Sequence, residues 1–449
     1  MTFSVRRDGS SRFGQDNRYG NFLAGSAGWS LNNEKWFQDL FPAVSKTKLR
    51  ASYGQMGNQD ITDYPWASWV AQGYNYVLGA VPKAVQGYTI TERGNPDVKW
   101  ESTTVADAGL DFGIWSDRLT FSADYFVKTT TDLLVRVPLP QIGGSAAPPF
   151  QNDGSIQNKG FEFELNYRKT GGRLQFSLNA NFATLHNEVL SLANGTPIQG
   201  GRIDNGIYAT LTAVGHPIGS FYGYQMEGIF QTQADIFKHA YQGPGIVPGD
   251  VMYKDQNGDG VINEKDRTFL GSAIPLYTYG LTASFSYSHF DLTIFFQGAY
   301  GNKIYSQVNQ DIEGFYRPFN LTEEVYNTRW HGPGTSNTMP LVSWNQAANN
   351  ILEPSSRFLQ DASYVRLKNV QLGYTIPSKI TDKGHIKGLR IYFTSQNLLT
   401  FTKFTGLDPE MHVSNNVNAE QHQGDLAAGI DWGTYPSARS YIVGINLNF

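Results

Sequence analysis

One pattern limits this chain more than any other. Apolar and polar residues alternate strictly in segments of about ten, and such segments recur from one end to the other. It is plainest in residues 439–449, RSYIVGINLNF. Tyr441, Val443, Ile445, Leu447 and Phe449 share one face there, and Ile442, Gly444, Asn446 and Asn448 share the other. A period of two places alternate side chains on opposite faces of a strand, and about ten tilted residues cross a bilayer's hydrocarbon. A soluble sandwich can also end on such a strand, so recurrence decides.

Residues 105–115 set Ala106, Ala108, Leu110, Phe112 and Ile114 against Asp107, Gly109, Asp111 and Gly113. In 160–169, Phe161, Phe163, Leu165 and Tyr167 oppose Glu162, Glu164, Asn166 and Arg168. In 174–187, Leu174, Phe176, Leu178, Ala180 and Phe182 oppose Gln175, Ser177, Asn179 and Asn181. Segments 2–7, 21–31, 46–56, 119–131, 279–288, 290–300, 364–376 and 389–401 complete a set of about twelve strands. The pattern slips near Lys368, which predicts a bulge or the edge of the apolar band. Short links such as 116–118 and Gly171-Gly172 alternate with long ones such as 57–98, 189–276 and 301–360. Pro138, Pro140, Pro148 and Pro149 lie in another long link. Outer-membrane barrels have this asymmetry, with short periplasmic turns and long outer loops. The expected fold is therefore all-β, a transmembrane antiparallel β-barrel.

Composition agrees. Charged residues make up 16%, beside 47 Gly, 25 Tyr, 28 Phe and 9 Trp. Mean hydropathy of −0.37 suits water, yet alternation hides a lipid-facing surface from such an average. No run of about 18 apolar residues supplies a membrane helix. A net charge of −4 without Lys/Arg clusters gives no nucleic-acid groove. Without Cys there are no disulfides, thiolate metal sites or Cys nucleophile. The start, MTFSVRRDGSS, has no leader pattern; a downstream piece of a longer protein is the economical expectation.

The sharpest local motif is DQNGDGVINEKD, Asp255 to Asp266. Asp255, Asn257 and Asp259 stand at positions one, three and five, with Gly at six. The Val261 carbonyl falls at seven and Asp266 at twelve, the spacing of an EF-hand loop for Ca²⁺. Asp in place of Glu at twelve shortens the last arm, and an Asn/Gly-rich turn is the alternative. Trp66, Trp69, Tyr74 and Tyr76 in one loop, with Trp330 and Trp344 in another, offer aromatic faces to sugar rings or peptide side chains. Packing or an interfacial girdle is the plainer use. Trp432 precedes the last strand. Asp107, Asp111, Glu162, Glu164 and Arg168 face inward in a barrel, lining the lumen or solvating its wall. No HExxH, G-x-S-x-G, Walker A or dinucleotide fingerprint is present, and no enzyme is expected.

Longer stretches point to a family. They include RRDGSSRFG (6–14), LRASYGQMGNQ (49–59), GNPDVKWE (94–101), GSIQNKGFEFELN (154–166) and GHPIGSFYGY (215–224). PGDVMYKDQNGDGVINEKDR (248–267), DASYVRLKNVQLGYTIP (361–377) and QNLLTFTKFTGLDPE (396–410) follow. With them the chain resembles the C-terminal part of SusC-like (SusC/RagA-type) TonB-dependent outer-membrane transporters. The resemblance implies a barrel of roughly 22 strands with a plugged lumen. Residues 1–449 would be the C-terminal part of that barrel. The plug, the TonB-contacting segment and the signal peptide would precede it. It implies import of oligosaccharides or peptides, energised through TonB, with a SusD-like surface lipoprotein as partner. A soluble or cell-surface β-rich protein that binds glycans without transport is the alternative.

Overall fold

The computed structural model describes residues 1–80, 82–136, 149–192, 195–203, 207–315, 319–343, 354–381, 386–410 and 424–448. Pro138, Pro140, Pro148, Trp344 and Phe449 lie outside the described residues.

Each of the alternating segments forms a strand, with one boundary corrected below. The wall strands are β1 (Thr2–Gly9), β2 (Tyr19–Ser30), β3 (Val44–Asn58), β4 (Glu101–Ile114), β5 (Leu119–Thr131) and β6 (Ser155–Lys169). They continue as β7 (Leu174–Thr184), β8 (Tyr277–Tyr287), β9 (Phe290–Tyr300), β10 (Tyr364–Thr375), β11 (Gly388–Thr402) and β12 (Ser440–Asn448). Each hydrogen-bonds to its neighbours in sequence, so the sheet runs in chain order. Two compact units divide the chain, 1–163 with 186–196 and 164–185 with 197–449, and the division falls inside β6.

Tight links join β4 to β5 (115–118), β6 to β7 (170–173) and β8 to β9 (288–289). Ser288 takes φ 58°, the left-handed backbone that so short a link needs. The opposite links, 59–100, 132–154, 185–276, 301–363 and 403–439, are all long. Length parity fails only at the start. Link 31–43 exceeds 10–18 because it folds a helix, Lys35–Leu40, whose Phe37 packs 5.1 Å from Phe41.

The expected strand 174–187 is corrected. β7 stops at Thr184, and His186–Ser191 turns back to pair with Ser155–Lys159 of β6. The slip near Lys368 is a bulge. Leu367 and Asn369 pair with both neighbouring strands while Lys368 pairs with neither, which returns Val370 and Leu372 to the apolar face.

Hydrophobic cores lie in the long links. In the first unit Phe13, Ile61 and Val98 are buried with Trp100 against them. In the second, Ile203, Ala209, Phe221, Tyr305, Phe358 and Ile430 form one core, which Trp432 flanks. Tyr224, Val251, Tyr253 and Ile262 form another. The wall leaves its large apolar side chains exposed, as a sheet facing lipid must.

Candidate functional site: the wall and its outer loops

Register shows what the alternation builds. In the second unit one apolar row crosses six strands: Phe176, Phe285, Leu292, Leu372, Phe393 and Val443 stand opposite one another in turn. At the loop end of this face Tyr277 stacks between Phe182 (5.6 Å) and Tyr300 (6.0 Å). At the turn end Tyr287 pairs with Phe290, whose ring lies 4.8 Å from Tyr374. Tyr277 and Tyr287 are ten residues apart. At about 3.3 Å per residue and a tilt of about 40°, that separation gives a height of about 25 Å. An apolar band of that height between aromatic rows fits a bilayer.

The other face is polar and cross-braced. In the first unit Arg50 bridges two strands, reaching Asp111 (3.0 Å) and Asp124 (2.9 Å). Gly109 stands between Arg50 and Asp124 in the register, and a Cβ there would lie 2.1 Å from the Asp124 carboxylate. Only glycine lets that pair close over the middle strand. Arg390 and Asp291 close theirs at 2.5 Å across Gly373 in the same way. Of the charges expected inside, Asp111 is therefore an ion-pair partner. Glu164 accepts hydrogen bonds from Asn166 (2.9 Å) and Asn179 (3.0 Å). Asp107 lies opposite Ser52, on the same strand face as Asp111. Glu162 and Arg168 are exposed on β6.

Four charges fasten the last long link to this wall. Arg366 is 3% exposed and donates to Asp408, to Glu410 (2.7 Å) and to Thr400 (2.9 Å). From the bulge, Lys368 donates to Glu410 at 2.7 Å. Asp408 also accepts the amide hydrogens of Glu410 and Ser437, both at 2.9 Å. Burial pushes the Asp408 carboxyl up, but Arg366 and those amides outweigh it and hold it below the usual carboxylate range. Nothing in the sequence pairs Arg366 with residues about forty positions on; two like charges flanking a register slip were the available signal.

In the expected calcium loop, Asp255 accepts amide hydrogens from Gly258 (2.7 Å) and Gly260 (2.9 Å). Asn257 and Asp259 accept from Asp259 and Val261, each at 2.9 Å. Buried Asp266 accepts from Gln256 (3.0 Å) and Asn263 (2.7 Å). The Gly260 amide above all, with the Asp266 carboxyl beside it as a lesser cause, holds Asp255 below its ordinary pKa. The donors are hard oxygens, which fits Ca²⁺, and amides occupy them here. Among the described residues no group of three or more His, Asp or Glu is gathered tightly enough to hold a metal. Tyr241 bridges the loop through backbone bonds to Gly260 and Ile262.

Trp66, Trp69, Tyr74 and Tyr76 are exposed on link 59–100. Trp330 belongs to the other unit and is half-buried. Its indole N–H donates to Gln231 (3.2 Å), and its ring packs where Gly249, at φ 100°, leaves room.

A sheet with an aromatic-edged apolar face, a braced polar face and long links on one side is the wall of a transmembrane β-barrel. The chain belongs to the TonB-dependent receptor-like β-barrel family, whose model matches residues 1–398. This is an outer-membrane fold, and no helix among the described residues is long and apolar enough to cross a membrane. The chain is 32% identical over 453 residues to the TonB-dependent receptor P3 of Formosa agariphila, covering 100% of itself and 44% of that protein. It is 30% identical over 474 residues to the TonB-dependent receptor SusC of Bacteroides thetaiotaomicron, covering 42% of it. It matches the structure of the RagAB peptide transporter with a TM-score of 0.81 and 27% identity, over 100% of this chain and 45% of that one. The chain thus spans less than half the length of the relatives it matches. These relatives are receptors and transporters rather than enzymes, in keeping with the missing catalytic motifs.

Proposed function

We propose that this chain is the C-terminal part of an outer-membrane importer of oligosaccharides or peptides. A plug and a TonB-contacting segment would precede it, and a SusD-like surface lipoprotein would act beside its outer loops. The observation that carries the reading is the wall itself, apolar on one face and polar on the other within a family of TonB-dependent receptors. Inside, braced charges such as Arg50 with Asp111 keep the polar face rigid and wettable. Outside, Trp66 and Trp69 offer aromatic faces to cargo, while Tyr74 and Tyr76 lie further along the same link. The name of the RagAB relative favours peptides and that of SusC leaves the cargo open.

The test is energised uptake by the whole transporter in its own cells. Labelled oligosaccharide and oligopeptide pools should accumulate inside and stop accumulating when a protonophore is added. Trp66→Ala with Trp69→Ala should cut uptake several-fold at unchanged protein level. Binding at the surface with no protonophore-sensitive uptake would instead favour a glycan-binding protein without transport.

We further propose that Ca²⁺ binds Asp255, Asn257, Asp259, the Val261 carbonyl and Asp266 in the whole protein and pins the outer link. Millimolar Ca²⁺ should slow proteolysis within 255–266 at least threefold relative to EGTA, and Asp255→Asn should abolish the difference. Equal cleavage with and without Ca²⁺ would mean that the loop is closed by its amides alone.

A further inference from the structure

Link 59–100 contains a ribbon that the barrel reading does not use. Trp69–Gln72 pairs with Tyr88–Glu92, and beyond Gly73 the pairing resumes between Tyr76–Leu78 and Lys83–Val85. This two-stranded arm is apolar and exposed on both faces. Tyr76 (71% exposed) lies opposite Val85, and Val77 (59%) lies opposite Ala84. Tyr88 is 67% exposed, and Val70 opposite Ile90 is equally open. Residues 69–92 hold two charges, Lys83 and Glu92.

We propose that the paired segments within 69–78 and 83–92 are an arm that inserts into a cleft of a folded protein partner at the outer surface. The partner is the lipoprotein of the preceding reading, on which this inference rests. Lipid does not cover the arm, because it grows from a long link and the membrane band lies on the strands. Small cargo, met by Trp69 at the base of the arm, does not cover the rest of it. Six exposed side chains of this size present on the order of 600 Å² of apolar surface, above what a monomer ordinarily leaves open. That area approaches the roughly 800 Å² that each partner contributes to a stable interface. The composition is that of an interface centre, with Tyr and Trp enriched and charges depleted. A lone two-stranded ribbon is marginal in water, so the arm gains order when both of its faces are clasped.

The chain contributes no Cys of its own, so labelling of a single introduced thiol is read as the signal above that of the parent transporter. Val77→Cys and, as a control, Asp63→Cys in the same link should be placed in the whole transporter. Each is then labelled in cells with a 5 kDa polyethylene-glycol maleimide. Palmitate-labelled lipoprotein that co-purifies with the transporter is quantified in parallel. At position 77, labelling should be at least tenfold slower in the complex than in transporter stripped of the lipoprotein, with position 63 unchanged. Tyr76→Asp with Val77→Asp should lower co-purified lipoprotein at least tenfold without altering barrel heat-modifiability. Equal labelling of position 77 with and without bound lipoprotein would overturn the arm while leaving the partner reading intact. Protection that persists after stripping would overturn it in favour of a second copy or another loop. Absence of any co-purifying lipoprotein would instead remove the partner reading itself.

Discussion

Arg366→Ala is expected to destabilise the outer end of the wall by about 3–5 kcal/mol, because it leaves the Asp408 carboxylate buried without its cation. Arg366 and Asp408 are 3% and 7% exposed, so water cannot replace the lost partner. Lys368 is engaged by Glu410, so it does not compensate. Residues 403–410 and 437 should come away from β10, exposing the aromatic and leucine residues of link 403–439 to chymotrypsin and lowering the temperature at which the folded barrel band disappears on gels. Arg366→Lys should lose less, keeping the charge but not the three-way reach of the guanidinium. The pH dependence has a definite sign. A carboxyl held below its ordinary value contributes stability that is complete above the unfolded value of about 4. That stability is lost as pH falls through the lower folded value. The wild-type link should therefore stay protected from neutral pH down to about 4 and loosen only below it. An unchanged chymotrypsin pattern in Arg366→Ala would show that the network does not hold the link.

Arginine at Leu178 and Leu281 together should block assembly, and either alone should reduce it. Leu281 is exposed midway between the two aromatic rows, opposite Ala180 on one side and Phe296 on the other. Leu178 lies opposite Ala283 at nearly the same height. A charge at the bilayer midplane costs about 2–4 kcal/mol, so two together cost about 4–8 kcal/mol, comparable with the roughly 5–15 kcal/mol margin of a fold. Phe176→Arg, opposite Phe285 and nearer the turn-end aromatic row, should cost less. Thr282→Arg, adjacent in sequence but on the polar face, should assemble normally. Heat-modifiable protein in outer-membrane fractions is the readout. Normal assembly of Leu178→Arg with Leu281→Arg would mean that this face never meets lipid.

The strands were legible because a wall one residue thick writes its two environments into the chain as a period of two. β8, β9 and β12 lie within about two residues of where alternation placed them. His186 and Asn187 were misread as the end of β7, and 189–191 as part of a long link, because their partner, Ser155–Lys159, is distant in sequence and alternation carries no partner identity. Trp330 and Trp66 look alike as letters. One is clamped between Gln231 and Gly249, and the other is open to water. The arm at 69–92 passed as polar loop because its Gly, Pro and Asn residues mask short ladders.

By itself the sequence determined about twelve wall strands, their apolar and polar faces, the side on which the long links stand, and a slip of register near Lys368. Each depends on residues near one another in the chain, read against the spacing of a strand. Only the tertiary structure decided that Arg50 reaches Asp124 over Gly109, that Arg366 holds Asp408, and that the ribbon carrying Tyr76 stands uncovered. Those facts depend on which distant residues register, shape and burial bring within a few ångströms, and a one-dimensional pattern holds no distances.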